Sequence, residues 1–313
     1  MIVTNMTQSV STILMVRPAN FGFNEQTAES NAFQSIDNEH SEREVSKLAK
    51  VEFDGFVTKL RDHGISVVVH EEDYHPDRTD AVFPNNWISF HENGRVIIYP
   101  MEAPNRRLEK DKKVLELLRS NFEINTVQDL GDFESKNQFL EGTGSIIFDY
   151  IHGKGYACRS TRTDDQLFTE VCTSLGYEAV LFEASDPEGI PIYHTNVMMA
   201  LGTGYVVICM DSVKDADQKT KLMDSFAEDG LEIIDIEFDQ LANFAGNMLE
   251  VRNAEDQRHL VMSKSAFDSL RKDQIDQIEK YAKPLWVDIS TIENTGGGSA
   301  RCMMAAVHLP KKS

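Results

Sequence analysis

The sequence predicts an α/β fold: five similar units closed into a five-bladed pseudo-symmetric propeller, with residues 1–313 as a single domain. Three observations carry that prediction. Hairpin signals recur near positions 86, 144, 196, 247 and 302, roughly 50–60 residues apart, so an internal repeat is the first reading to test. Each hairpin leads into a helical pattern and one further strand, except the last, whose hairpin stops after one strand. The first strand of the chain has a helix and a strand behind it but no hairpin partner. Pairing the N- and C-terminal strands completes the fifth unit and closes the ring. One hairpin, helix and strand cannot bury their own apolar face, which is why five such units would pack around a common axis.

The elements follow in order. Ser11 to Pro18 is β-rich and stopped by proline, and a polar loop, Ala19 to Asn38, leads to a helix from about Ser41 to His63. Gly64 stands where a helix C-terminal glycine belongs, before the strand Ile65–Val69. The first full hairpin is Trp87–His91 and Arg95–Tyr99 around Glu92-Asn-Gly94, and Asn-Gly between alternating apolar runs is a strong hairpin signal. A charged helix (about Asn105 to Ser120) and a strand (Phe122 to Val127) complete that unit. The second has Gly144–Tyr150, Tyr156–Cys158, helix Asp164–Leu175 and strand Tyr177–Phe182. The third has Val197–Leu201, Tyr205–Cys209, a helix to Glu228 and strand Leu231–Ile236. The fourth has Met248–Val251, His259–Met262, helix Ala266–Ala282 and strand Leu285–Ile289. Cys302–Leu309 opens the fifth, to be completed by Ile13–Val16.

Composition excludes several function classes. A formal charge of −20 over 313 residues argues against a nucleic-acid groove, which needs clustered Lys and Arg. No window reaches the ~18 apolar residues of a membrane span, and the first ten residues lack the pattern of a secretion signal. Cys158, Cys172, Cys209 and Cys302 show no CxxC spacing, so no metal and no other cofactor is expected, and reduced thiols in a cytoplasm are the default. Three of these cysteines sit inside strand or helix patterns. Only Cys302 directly follows a glycine loop, Gly296-Gly-Gly298, whose lack of side chains would let the backbone pass close to a substrate.

In a closed ring, equivalent loops converge on one end of the axis. The residues just before each hairpin are Pro84-Asn-Asn86, Glu141-Gly-Thr-Gly144, His194-Thr-Asn196, Asn243-Phe-Ala-Gly-Asn247 and Gly296 to Cys302. Each is ordinary alone: a structural histidine, a solvated glutamate, turn asparagines. Together they bring a thiol, an imidazole, a carboxylate and amides to one place, the set a covalent nucleophile with an acid/base partner requires.

Leu140-Glu-Gly-Thr-Gly144, His194-Thr-Asn196 and Gly296-Gly-Gly-Ser-Ala-Arg-Cys302-Met resemble the motifs of the guanidino-group-modifying superfamily of arginine deiminases, dimethylarginine hydrolases and amidinotransferases. The resemblance runs from Val16 to Pro310. It implies the five-bladed propeller known as the pentein fold, Cys302 as nucleophile, His194 as general acid/base and Glu141 as its partner. Superfamily members that bind a guanidinium hold it with carboxylates at the positions of Asn86 and Asn196. Two amides remove two charges but offer both donor and acceptor, which suits a neutral ureido group. Met15–Thr27 and Phe83–Ser89 are similar to the citrulline-utilisation hydrolase branch, and citrulline is the substrate this implies. Arg162, in Cys158-Arg-Ser-Thr-Arg-Thr163, fits the segment that carries a substrate-carboxylate arginine, while Arg159 reads equally well as a surface residue. The 19–38 loop stands at the same end of the ring as a candidate lid. The expected partner is therefore a small ureido or guanidino amino acid, with neither nucleic acid nor membrane, and a homodimer is compatible with the sequence. The alternatives are a deiminase or amidinotransferase acting on arginine or another guanidino compound, and a propeller that binds without catalysing.

Overall fold

A computed structural model describes residues 6–28, 31, 33–37 and 39–312. Its strands are β1 (Thr12–Arg17), β2 (Ser66–Glu71), β3 (Ile88–Phe90), β4 (Arg95–Ile98), β5 (Thr126–Asp129), β6 (Ile147–Asp149), β7 (Lys154–Cys158), β8 (Glu178–Phe182), β9 (Met199–Gly202), β10 (Tyr205–Ile208), β11 (Glu232–Asp235), β12 (Leu249–Arg252), β13 (Arg258–Ser263), β14 (Lys283–Val287) and β15 (Ala305–Ala306). They form five three-stranded sheets ordered β15-β1-β2, β3-β4-β5, β6-β7-β8, β9-β10-β11 and β12-β13-β14. In each sheet the middle strand pairs antiparallel on one side and parallel on the other. The N- and C-terminal strands join as the sequence predicts, Ile13 opposite Ala306 and Leu14 opposite Ala305. First strands of neighbouring units touch, β3 with β15, β6 with β9 and β9 with β12. This is the five-fold pseudo-symmetric pentein arrangement.

The helix Glu42–Asp62 shows how local chemistry sets an element. Ser41 caps it, with its hydroxyl and the Glu44 carboxylate closing a reciprocal capping box. Val45, Ala49, Phe53, Phe56, Val57 and Leu60 recur at helical spacing and are all buried. That stripe shares an apolar cluster with Ile13, Val67, Phe83 and Cys302, so it braces the closing unit from outside.

Three expectations are corrected. The charged helix expected over 105–120 is a 3-10 turn, Pro104–Glu109, followed by a short α-helix, Lys113–Arg119, and strand β5 begins later than Phe122. The 3-10 turn carries Arg106 and Glu109, whose charged side chains are turned inward and buried. The helix expected over 266–282 is split at Leu270, which is extended, into Lys264–Ser269 and Lys272–Glu279. The last strand shrinks to Ala305–Ala306, which leaves Cys302 in a turn where its own N–H bonds Ser299 O at 2.9 Å. No helix among the described residues is long and apolar enough to cross a membrane.

Candidate active site

Short turns precede the hairpins, and they meet. Gly142–Ser145 touches both Pro84–Asn86 and Thr195–Met198. This close approach explains two glycines. Gly142 has φ 48°, and a Cβ there would lie 2.4 Å from Asn85 O. A Cβ on Gly144 would lie 2.3 Å from Asn86 Nδ2 and 2.9 Å from His194 Nδ1. The missing side chain is what lets three units share one point.

Around that point lies a narrow cavity of about 20 Å³, lined among others by Asp80, Asn86, Arg106, Arg162, His194 and Cys302. Cys302, His194 and Glu141, from three different units, are all buried. His194 Nε2 stands 2.8 Å from Glu141 Oε2. A carboxylate oxygen only accepts, so Nε2 carries the proton and Nδ1 is left as a base beside Gly144. Burial pushes the imidazole down to about 4 despite the opposing pull of Glu141. Burial alone would raise Glu141, but Arg162, the bond to His194 and Arg106 outweigh it and hold that carboxyl below its usual range. The resting pair is thus a neutral imidazole against a carboxylate. Glu141 is further fixed by Glu102 N–H, donated to Oε1 at 3.0 Å.

The two amides part company. Arg106 Nη1 donates to Asn86 Oδ1 at 3.0 Å. A guanidinium has no acceptor, so this contact decides which end of the amide faces which way. Asn86 Nδ2, buried, has no hydrogen-bond partner among the described residues. Asn196, the other amide expected to hold substrate, has its Nδ2 3.4 Å from Cys302 Sγ. Its Oδ1 has no partner among the described residues.

Arg162 is buried in the cavity wall, its guanidinium 3.5 Å from Glu141 and stacked over the Tyr193 ring. Arg159 pairs with Asp165 at the surface, outside the site. The glycine run lines the cavity beside Cys302, and it also packs closely on its other neighbours. Cβ atoms at Gly296 and Gly298 would strike the Phe83 ring at 2.9 Å, and one at Gly297 (φ 64°) would strike Asn31 Nδ2 at 2.5 Å. The run is flattened against Phe83 and the covering segment. Within the 19–38 loop, residues 29, 30, 32 and 38 lie outside the described residues. The remainder crosses the cavity: Asn31 Nδ2 donates to Gly297 O at 3.3 Å and Asn24 Nδ2 to Asp80 Oδ2 at 2.7 Å.

Sequence reasoning missed Asp80, Arg106, Glu109 and Asn247. Arg106 grips Glu109 through two bonds of 3.1 and 3.0 Å. Burial works against its charge, but Glu109, Asp80 and Glu141 more than compensate. Asp80 is pushed up by burial, against Arg106 and Asn24, and its Oδ1 has no partner among the described residues. Asn247 stood in plain view at the mouth of the fourth unit, whereas Arg106 was hidden inside a helical pattern. Among the described residues, no group of possible metal ligands falls at this site. Elsewhere Asp149, His152 and Asp229 bring ligand atoms within 4.8 Å of one another, but Lys154 Nζ, 2.7 Å from Asp229 Oδ2, takes the place of a cation.

A family profile described as N,N dimethylarginine dimethylhydrolase, eukaryotic, matches residues 17–309. No curated protein matches the chain in sequence. Among solved structures, apo ArgZ, an arginine dihydrolase from the ornithine-ammonia cycle in cyanobacteria, is similar with a TM-score of 0.71 at 18% identity, covering 96% of this chain and 41% of that one. The chain thus spans about two fifths of that enzyme. Its isolated N-terminal domain bound to product gives 0.72 at 17% identity, covering 96% and 98%. A dimethylarginine dimethylaminohydrolase adduct with 4-chloro-2-hydroxymethylpyridine gives 0.63 at 14%, covering 94% and 98%. At such identities the structural likeness speaks for the fold.

Proposed function

For this chain, which belongs to the N,N-dimethylarginine dimethylhydrolase family of guanidino-group hydrolases, we propose that the substrate is the ureido amino acid citrulline. The products are ornithine, ammonia and carbon dioxide, formed through a covalent adduct on Cys302. The observation that carries this reading is the Arg106 bond to Asn86 Oδ1 at 3.0 Å, which leaves only N–H groups on the substrate side of that amide. A guanidinium also presents only N–H groups there, so donor would face donor. A ureido oxygen accepts instead.

The same cavity offers Arg162 and Asp80, opposite charges suited to an α-carboxylate and an α-ammonium. An ammonium would also neutralise the unpartnered Asp80 oxygen. Cys302 passes its proton to His194 Nδ1 and attacks the ureido carbon. Charge builds on the ureido oxygen, where the Asn86 amide donates to it. The imidazolium, stabilised by Glu141, then returns the proton to the departing nitrogen, leaving a thiocarbamate on sulfur. His194, neutral again, takes a proton from water as it attacks that carbon, and the released carbamate breaks down to amine or ammonia and carbon dioxide. One group alternating as acid and base suits a two-step covalent route. The cavity is too small for an amino acid as it stands, so Thr27 and Asn31, which line it, must shift for substrate to reach Cys302.

Purified protein given citrulline should release ornithine and ammonia in equal amounts. Arginine dihydrolysis, the activity named for ArgZ, would release two ammonia per ornithine from arginine. Turnover of arginine with none of citrulline would refute the proposal and favour the guanidino-directed alternative. No turnover of either, with Cys302→Ser leaving ligand binding intact, would favour the non-catalytic propeller.

A further inference from the structure

We propose that Asn247 is a further catalytic residue, whose side-chain amide donates a hydrogen bond that aims the Cys302 sulfur and strengthens as that sulfur gives up its proton to His194. Both ends of this amide are determined by partners that cannot exchange roles. Oδ1 accepts from Arg301 N at 3.0 Å, and a backbone N–H only donates. Nδ2 donates to Asn196 O at 2.9 Å, and a backbone carbonyl only accepts. The second N–H on the same nitrogen is left for Cys302 Sγ, 3.3 Å away. Asn196 Nδ2 approaches the sulfur at 3.4 Å. A thiol donates to Oδ1 of Asn247 at 3.6 Å, an oxygen that also accepts from Arg301 N–H. A hydrogen bond to a charged acceptor is the stronger one, so the fixed Asn247 donor gains strength as the sulfur ionises, and the bond to Arg301 N ties it to the nucleophile's own turn.

The fourth unit reaches the sulfur because Gly246 lies flat on the third, where a Cβ would sit 2.3 Å from Val197 O. Other groups face the sulfur without bonding it. Tyr193, His194, Arg162, Arg106 and Asp80 line the same cavity, Glu141 pairs with His194, and Arg301 is buried, its Nη1 donating to Met304 O. Among the described residues, the hydrogen-bond partners of Sγ are the two asparagines.

This inference rests on Cys302 as the nucleophile and does not depend on which substrate it attacks. Asn247→Ala removes the amide, whereas Asn247→Asp keeps an acceptor for Arg301 N–H, loses the bonds to Asn196 O and Cys302 Sγ, and sets a carboxylate beside the sulfur. The rate of Cys302 alkylation by iodoacetamide is followed by mass spectrometry, with Cys302→Ser as background and circular dichroism to confirm folding. At neutral pH both variants should react about tenfold more slowly or worse, the range for a hydrogen bond to a charged group. In strongly alkaline buffer the difference should close, because base then ionises the thiol in every variant. On the proposed substrate kcat should fall while KM holds. Equal alkylation rates at neutral pH would overturn the proposal. So would a deficit that persists unchanged in alkali, since that is the mark of altered access. Alkylation needs no substrate, so a failure of the citrulline reading would leave this test standing.

Discussion

Replacing Asn86 by aspartate exchanges one NH2 for an oxygen and changes nothing else in shape. Asn86 Oδ1 already accepts from Arg106 at 3.0 Å, so the new carboxylate keeps that bond and Arg106 keeps it ionised. The atom that changes is Nδ2, the buried nitrogen with no partner. On citrulline the variant loses the donor to the developing oxyanion and sets an anion against it. Losing one such donor costs about a hundred- to a thousandfold in kcat, and the added repulsion places the expected loss at the upper end. On arginine the sign reverses, because a guanidinium N–H now finds a charged acceptor. The assay is ornithine release from citrulline and from arginine at saturating substrate, with Asn86→Ala beside it. Alanine removes the donor without adding an acceptor, so it should lose citrulline turnover and gain nothing on arginine. Citrulline turnover within a few-fold of wild type in Asn86→Asp would refute the assignment of that amide.

Two further outcomes follow from the same geometry. Gly144→Ala places a Cβ 2.3 Å from Asn86 Nδ2 and 2.9 Å from His194 Nδ1. Both must move, and a displacement approaching 1 Å costs about a hundredfold in turnover, to be read as kcat alongside a thermal melt showing that the fold persists. His194 is depressed to about 4 by burial, so the acid limb of kcat/KM on citrulline should lie near there. Glu141→Gln should move the limb lower still, since Glu141 is what raises the imidazole, and should lower kcat because the imidazolium loses its partner. The depressed imidazole also links to stability. Between the usual value of 6.5 and about 4 the unfolded chain binds a proton that the folded chain refuses. The contribution is complete above 6.5 and declines as pH falls through that window, which the pH dependence of the stability difference between wild type and His194→Asn measures.

The ring was legible because its evidence is periodic. Four complete hairpins, five helical patterns and one orphan strand at each end leave a single consistent closure, and β1 pairs with β15 accordingly. Cys302, His194, Glu141 and Asn86 were legible because equivalent repeat positions converge, and Asn247 was there by the same logic, though with no motif to mark it. What escaped was anything that depends on the direction a side chain takes. Arg106 and Glu109 sit in a charged, helical-looking run that reads as solvated surface, yet the run breaks into a 3-10 turn and buries both. That Asn196 Nδ2 lies 3.4 Å from sulfur is a rotamer no spacing encodes. That the three glycines line the cavity while packed on Phe83 and Asn31 depends on contacts between distant segments.

The role of Arg106 sharpens what two asparagines alone left open. Asparagine is ambivalent, and a free Asn86 could turn either end toward a ligand at little cost. Held by Arg106, it cannot, because turning would set NH2 against guanidinium and leave the carbonyl oxygen of a buried amide to find another donor. Glu109 completes the device: its two bonds hold Arg106 in position, so that choice of substrate at Asn86 depends on a pair of side chains at some remove from the reacting carbon.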